Sequence, residues 1–268
     1  MRAEKVCLLH VGTHKTGTTS FQTLCATHRV QLLEAGILYP EATSRSREPG
    51  HHNLAAELGG YQDLIPEYGT LDHLIDEVRT IGPDKVLISS ENLQHLYDRP
   101  EALIRLRDVW MSLGYTPHIA IAFRSVADYQ DSLFIELCKW HSGLTRAEFD
   151  QQIAEHGSFT SSSGRRFSMD YPLIVESFAA VFGDAQVHAV DYVRSNMSFR
   201  FASELSWFFG DATALFSNDM QLNNRIDQVG WLQARLNAIY ASRTWELTRP
   251  LRLGGDLARR RRRHQGAR

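Results

Sequence analysis

Short apolar segments alternate with longer amphipathic ones along most of this chain of 268 residues. The apolar segments predict strands at 5–11, 37–39, 85–90, 118–123 and 186–190. Helical periodicity between and after them predicts helices at 18–34, 71–81, 101–113, 126–140, 171–182, 199–209 and 228–247. Strands that are apolar on both faces and joined by helices indicate a parallel sheet covered on both sides. The pattern therefore predicts an α/β fold of three layers, with a central, mostly parallel sheet of about five strands flanked by helices.

A loop rich in glycine and threonine follows the first predicted strand and leads into a helix. It reads Gly12-Thr13-His14-Lys15-Thr16-Gly17-Thr18-Thr19-Ser20. Glycines let consecutive backbone N–H groups turn inward, and the helix start adds free N–H groups and the positive end of the helix dipole. Lys15 contributes a mobile positive charge. These features predict a loop that binds phosphate or sulfate, as in folds of the P-loop type.

The position of the lysine separates this loop from a Walker A motif. Thr18 stands where a nucleoside-triphosphate loop has its lysine, and Lys15 lies two positions before Gly17. The order Lys-Thr-Gly-Thr-Thr resembles the 5'-phosphosulfate loop of sulfotransferases that use 3'-phosphoadenosine 5'-phosphosulfate (PAPS). His14 replaces a proline common in cytosolic members, and the sequence suggests no role for it. The resemblance implies that the following residues bind the cofactor: Gly12, Thr13, Lys15, Thr16, Gly17, Thr18, Thr19 and Ser20.

A second half-site is implied by the same resemblance. In this family an arginine at a strand end, with a serine eight positions later, holds the 3'-phosphate of the nucleotide. Arg124 follows the fourth predicted strand and Ser132 lies eight positions on, about two helical turns along. A guanidinium binds phosphate oxygens in pairs. Because PAPS carries a charge of about −4, further basic contacts are predicted from Arg165, Arg166 and Arg225.

Transfer of a sulfuryl group to a hydroxyl needs a stabiliser for the leaving oxygen and a base for the acceptor proton. We assign the first role to Lys15 and the loop amides. Glu91, after the third strand, is the first candidate for the base, followed by His52 and then His51. The resemblance implies PAPS as donor, PAP as product and no required metal. We expect the loops at 41–70 and 142–170 to bind a small-molecule or carbohydrate acceptor.

Two other functions remain open on the sequence alone. The segment 85–91 resembles a strand that ends in a Walker B acid, which is typical of a P-loop kinase for small molecules that uses ATP and Mg²⁺. A nucleotide-binding protein without catalytic activity would carry the same loop.

Arginine is concentrated near the end of the chain, where residues 249–268 hold eight arginines and one acidic residue, Asp256. We therefore predict a single α/β domain over 1–250 and a disordered basic tail over 251–268. The acidic remainder argues against a nucleic-acid partner. The three scattered cysteines, the lack of a signal peptide and the lack of any apolar run of about 18 residues predict a cytoplasmic protein without a transmembrane segment. The oligomeric state stays open, a homodimer included.

Overall fold

The computed structural model describes residues 4–45, 49–141 and 143–217. Its strands are β1 (Val6–His10), β2 (Ile37–Leu38), β3 (Lys85–Ser89), β4 (Thr116–Phe123), β5 (Ser158–Thr160), β6 (Arg166–Ser168) and β7 (Val187–Asp191). Five of them form one sheet in the order β2-β3-β1-β4-β7, in which every neighbouring pair is parallel. The other two, β5 and β6, pair as an antiparallel hairpin.

Helices cover both faces of the large sheet. The α-helices are α1 (Thr18–Thr27), α2 (Arg29–Glu34), α3 (His52–Gly59), α4 (Leu71–Ile81), α5 (Pro100–Ser112), α6 (Val126–Trp140), α7 (Arg146–His156), α8 (Tyr171–Phe182), α9 (Met197–Glu204) and α10 (Ser206–Phe209). Short 3-10 helices span Pro66–Tyr68, Glu91–Asp98, Asp184–Gln186 and Gly210–Phe216. One face carries α3, α4, α5 and α8, and the other carries α1, α2, α9 and α10.

Alternating side chains of the strands fill these two cores. In β1, Cys7 and Leu9 pack into one core and Leu8 packs into the other, and all three are fully buried. Because successive residues of a strand point to opposite faces, a strand buried on both sides must be apolar throughout. This confirms the predicted α/β fold with its parallel five-stranded sheet.

The connections of β1 and β4 leave in opposite directions. The chain passes from β1 towards β2 and β3 on one side, whereas β4 leads to β7 on the other. Adjacent parallel strands with diverging connections open a crevice beyond their carboxyl ends, where ligands bind in open α/β sheets. The predicted phosphate loop follows β1 and Arg124 follows β4, so both lie at this crevice.

The segment 157–168, part of the predicted loop 142–170, is instead the β5–β6 hairpin with its turn at Gly164. Phe159 pairs with Phe167 across the hairpin. Both rings join a small third core with Tyr129 and Leu133 of α6, and this burial outweighs the loop-forming composition.

Several predicted helix boundaries need correction. The predicted helix 18–34 divides at His28, and the predicted helix 199–209 divides at Leu205. Helices α3, α7 and the 3-10 helix Glu91–Asp98 were not predicted from the sequence. A signal for α7 was present, because Thr145 and Glu148 form a capping box at its start.

Other predictions fall where the structure gives no description. Arg225, the helix 228–247, the domain boundary at 250 and the basic tail 251–268 all lie outside the described residues. Within the described ranges, each helix is too short or too polar to cross a bilayer.

Candidate anion-binding site

The glycine-threonine loop is fastened to the neighbouring strand by Thr13. Its backbone nitrogen and its Oγ1 both donate to the carbonyl oxygen of Ala122 in β4, at 3.2 and 2.9 Å. Thr16 Oγ1 donates to the carbonyl oxygen of Thr13 at 2.6 Å. Both threonines are buried. Their hydroxyl protons therefore hold the loop itself, and contacts of Thr13 and Thr16 with the cofactor stay a prediction.

Three residues of the loop have positive φ angles, which curl the backbone. These are Gly12 (φ 32°), Lys15 (φ 68°) and Gly17 (φ 77°). A lysine in the left-handed region is strained by about 1–2 kcal/mol. Gly17 caps α1 without a side-chain hydrogen bond, and the first turn of α1 contains no acidic residue. The start of a helix presents N–H groups and the positive end of the helix dipole, so the loop and the start of α1 suit an anion.

The Lys15 ammonium is paired with a carboxylate of α6. Its Nζ lies 3.2 Å from Oε2 of Glu136, which also accepts from Lys139 Nζ at 2.6 Å. Burial raises the pKa of Glu136, but the two ammonium groups outweigh burial and the net pKa is lowered. Glu136 is thus a charged partner that an incoming anion must replace.

Arg124 connects the loop to α6. Its Nη1 donates to the backbone oxygen of Lys15 and to Ser132 Oγ, both at 3.0 Å. The guanidinium carbon lies 4.9 Å from the centroid of the Tyr192 ring, which follows β7. Arg124 Nε is buried without a partner in the described part of the chain. An unpaired donor on a stacked guanidinium suits an anionic ligand.

Helix α6 contacts both positive centres. Its N-cap is Ser125, whose Oγ accepts from the Asp128 nitrogen at 3.3 Å. Ser132 and Glu136 lie four residues apart, and therefore on the same side of the helix. Since one contacts Arg124 and the other Lys15, both cations face the same stretch of α6.

Glu91, the first candidate for the base, is half-buried at the carboxyl end of β3. Its Oε2 accepts from Gln22 Nε2 at 2.9 Å. Burial raises the pKa of Glu91, but His52, His14 and hydrogen bonds outweigh it and lower the pKa to about 2. A carboxylate held in its ionised form is a weak proton acceptor. Its negative charge instead acts to raise the pKa of the His10 and His14 imidazoles.

The two other candidate bases differ in their surroundings. His51 is fully buried, its Nδ1 accepts from the Ser89 nitrogen at 3.1 Å, and its Nε2 lies 3.2 Å from the Pro40 oxygen. Burial lowers the pKa of His51 to about 3. Both ring nitrogens are engaged with backbone groups, so His51 joins the segments after β2 and β3 and does not face the cleft. His52 begins α3, with Nδ1 2.9 Å from Ser90 Oγ.

Three further histidines, for which the sequence predicted no role, lie near Glu91. His10 ends β1, bonds Ser89 Oγ through Nδ1 at 2.8 Å and packs against Phe21. His14 and His95 approach each other to 3.1 Å between their Nε2 atoms. The last two are 81 positions apart, so only the tertiary structure shows their contact.

Arg165 and Arg166, predicted as further cofactor contacts, are engaged elsewhere. Arg165 Nη2 donates to both carboxylate oxygens of Asp63 at 2.7 and 2.8 Å, and its guanidinium lies over the Tyr61 ring. Arg166 Nε donates to Ser158 Oγ at 2.9 Å within the hairpin. Each arginine therefore has a partner within the protein, and a contact of either one with the cofactor stays a prediction. Across residues 4–45, 49–141 and 143–217, no group of three or more His, Cys, Asp or Glu side chains is arranged to hold a metal ion.

No protein-family model matches the chain, and no curated protein matches it significantly. Among solved structures the chain is similar to a sulfotransferase from Alicyclobacillus acidocaldarius, with 18% identity, a TM-score of 0.43 and coverage of 89% of this chain and 95% of that one. It is also similar to a structure from the PezAT chromosomal toxin-antitoxin system of Streptococcus pneumoniae, with 12% identity, a TM-score of 0.36 and coverage of 90% and 88%. Neither similarity is close enough to assign a family, so the function must be argued from the residues of the site.

Proposed function

We propose that this protein is a sulfotransferase that moves a sulfuryl group from PAPS to a hydroxyl of a small-molecule or carbohydrate acceptor. The single observation that carries the proposal is the contact of Arg124 with both the Lys15 backbone and Ser132. It joins two anion-binding centres at the crevice between β1 and β4. Two such centres suit a nucleotide that carries one phosphate at its 3' position and a phosphosulfate at its 5' position. When bound, PAPS supplies the sulfuryl group and PAP is the product.

The residues of the loop would hold the 5' end of the donor. The curled backbone between Gly12 and Gly17, with the amides of Thr18, Thr19 and Ser20 at the start of α1, supplies preorganised N–H donors. Lys15 would leave Glu136 and stabilise the charge that develops on the leaving phosphate oxygen. Thr13 and Thr16 stabilise this loop through their hydrogen bonds to backbone carbonyl oxygens.

Arg124 and Ser132 would hold the 3'-phosphate. The unpaired Nε of Arg124 is a donor for one phosphate oxygen, and the Ser132 hydroxyl is a second donor that can turn from its present contact. Tyr192 lies against the guanidinium and restricts its plane. We keep Arg225 as a proposed further contact from the part of the chain beyond the described residues.

A titration with two ligands separates this proposal from a P-loop kinase. PAP is titrated in the presence of EDTA, and ATP is titrated with Mg²⁺, each by isothermal calorimetry. We expect PAP to bind without any divalent metal and ATP to bind more weakly. Binding of ATP with Mg²⁺ but not of PAP would overturn the sulfotransferase proposal in favour of the kinase.

A transfer assay separates the enzyme from a nucleotide-binding protein without activity. Radiolabelled PAPS is offered with a panel of phenolic, alcoholic and carbohydrate acceptors. We expect labelled product from the wild type and a loss of at least about 100-fold in kcat for Lys15→Ala. Lys139→Ala is the matched control, because Lys139 also pairs with Glu136 but lies outside the loop. Equal rates for Lys15→Ala and the wild type would exclude the role proposed for Lys15.

A further inference from the structure

A chain of hydrogen bonds leads from the hairpin to the phosphate loop. His95 Nδ1 lies 2.9 Å from the carbonyl oxygen of Arg166, and His95 Nε2 lies 3.1 Å from Nε2 of His14. Phe167 of the hairpin packs against both rings, with centroid distances of 5.2 Å to His14 and 4.6 Å to His95. The two imidazoles are therefore held together by the hairpin on one side and the loop on the other.

The Arg166 carbonyl oxygen at the start of this series of hydrogen bonds determines which ring nitrogens carry protons. A carbonyl oxygen can only accept, so the Nδ1 of His95 must carry a proton. His95 is fully buried, and burial holds its pKa well below the usual value. A neutral His95 has a bare Nε2, and the proton between the two rings therefore belongs to Nε2 of His14.

The same assignment of protons leaves His14 with a lone pair on Nδ1. Burial lowers the pKa of His14 to about 4, although the charge of Glu91 opposes this effect. A neutral His14 that is protonated on Nε2 has a bare Nδ1. In the described part of the chain, the only hydrogen bond of the His14 ring is the one to His95. The ring is half-buried and directly precedes Lys15 in the loop.

We propose that His14 Nδ1 is the base that accepts the proton of the acceptor hydroxyl, and that His95 positions it. This inference rests on the proposed sulfuryl transfer. The acceptor oxygen forms a bond to sulfur as the bond between sulfur and the phosphate oxygen breaks, and the electron pair of that bond leaves on the phosphate oxygen of PAP. The hydroxyl proton moves to His14 Nδ1 and gives an imidazolium next to the ionised Glu91. His14 is thus a catalytic residue and His95 a positioning residue.

Charges on several elements act on the His14 ring. Glu91, at the start of the 3-10 helix, and Glu136 of α6 favour its protonated form. His52 of α3 and Arg165 of the hairpin oppose it, and His95 adds a neutral ring. Replacing Glu91 by Gln removes the larger of these two negative influences. We therefore expect Glu91→Gln to lower the pH at which the acidic limb of kcat falls.

Kinetics of four variants test the assignment. His14→Asn keeps a polar side chain but removes the proton acceptor, and we expect kcat to fall by about 10²- to 10⁴-fold with the Kd for PAP unchanged within twofold. His95→Leu removes the partner of His14 and should lower kcat at least tenfold, whereas His95→Gln, whose amide oxygen can accept from His14 Nε2, should restore most of it. His188→Gln is the control, a half-buried histidine paired with His118 away from the loop. A kcat for His14→Asn equal to that of the wild type would refute the proposal.

Nitrogen NMR of protein labelled with ¹⁵N-histidine tests the proton positions without any transfer assay. At pH 7 we expect His14 to show a protonated Nε2 and a bare, pyridine-type Nδ1. The opposite tautomer would overturn the assignment even if the protein is a sulfotransferase. Failure of the proposed function looks different, because the wild type would then bind no PAP and form no labelled product while His14 kept the expected tautomer.

Discussion

The Lys15 ammonium forms an ion pair with the Glu136 carboxylate. We expect Glu136→Gln to tighten the Kd for PAP by about three- to tenfold, because it removes both a competing partner for Lys15 and a negative charge beside an anionic ligand. Calorimetry at fixed ionic strength measures the change. Glu155→Gln, at an exposed position of α7, is the control. Weaker binding by Glu136→Gln would show that Glu136 supports the bound position of Lys15.

Arg124 offers a test specific to one phosphate of the ligand. Arg124→Met removes the charge-assisted hydrogen bonds, which are worth about 1.5–3 kcal/mol each. We expect the Kd for PAP to weaken by about 10- to 100-fold and the Kd for AMP, which lacks the 3'-phosphate, to change less than twofold. Ser132→Ala should produce the same selectivity with a smaller loss. An equal loss for both nucleotides would place Arg124 at the 5' end.

The single residues differ in how far the sequence could predict them. The family resemblance singled out Arg124 and Ser132 together, eight positions apart, and the two side chains are in contact. Glu136 meets Lys15 from 121 positions away, and the contact of His14 with His95 depends on a hairpin that was predicted as a loop. Such contacts follow from tertiary packing and leave no local signal.

At the scale of the elements, the loop after β1 tolerates no side chain at Gly12. A Cβ there would lie 2.9 Å from Thr18 Cγ2 and 3.2 Å from His10 Nε2, at a φ of +32°. We expect Gly12→Ala to lower the free energy of unfolding by about 2–3 kcal/mol and to weaken PAP binding at least tenfold. Urea denaturation and calorimetry measure the two effects.

Gly36 supplies the matched control for this substitution. It also has a positive φ, +79°, but a Cβ there would meet nothing within 4 Å. Gly36→Ala should cost about 1 kcal/mol of stability through backbone strain and leave the Kd for PAP unchanged. Equal effects of the two substitutions on PAP binding would contradict a specific role for the loop geometry.

The elements of the sheet were predictable because their signal is local. The inner strands β1, β3 and β4 are largely apolar, and helices such as α4, α6 and α8 begin and end where the sequence predicted. The hairpin was not predictable in this way. Its strands are three residues long, and their apolar pair, Phe159 and Phe167, is buried by α7 and by α6, which ends at Trp140 and is distant from the hairpin in sequence.

For the molecule as a whole, buried neutral histidines make stability dependent on pH. Burial lowers the pKa of His10 to about 4, of His14 to about 4 and of His51 to about 3. In the unfolded chain these groups have a pKa near 6.5, so below about pH 6.5 the unfolded state binds more protons than the folded state. The depressed pKa of Glu91 adds a further loss below about pH 4.5. Stability therefore falls as the pH decreases from neutral.

We expect the urea midpoint to decrease steadily between pH 7.5 and 5, with each buried histidine contributing up to about 1.4 kcal/mol per pH unit. His51→Gln should be less stable at pH 7.5 but show a shallower pH dependence. His156→Gln, at an exposed position, should keep the wild-type slope. A midpoint that stays constant over this range would show that these histidines are not held in their neutral form.

The central place of β1 has a consequence for how the molecule opens. Strands β3 and β4 flank β1, whereas β2 has two residues and β7 forms the opposite edge. Fluctuations that break a sheet start at its edges, where fewer bonds and less buried surface must be given up. In deuterium exchange we expect the amides of Leu8 and Leu9 to be among the slowest, and those of Ala189 and Val190 to be faster. The strand that carries the phosphate loop would then keep its amide hydrogens while the edge strands of the sheet open and close. Exchange at Leu8 as fast as at Ala189 would contradict this order.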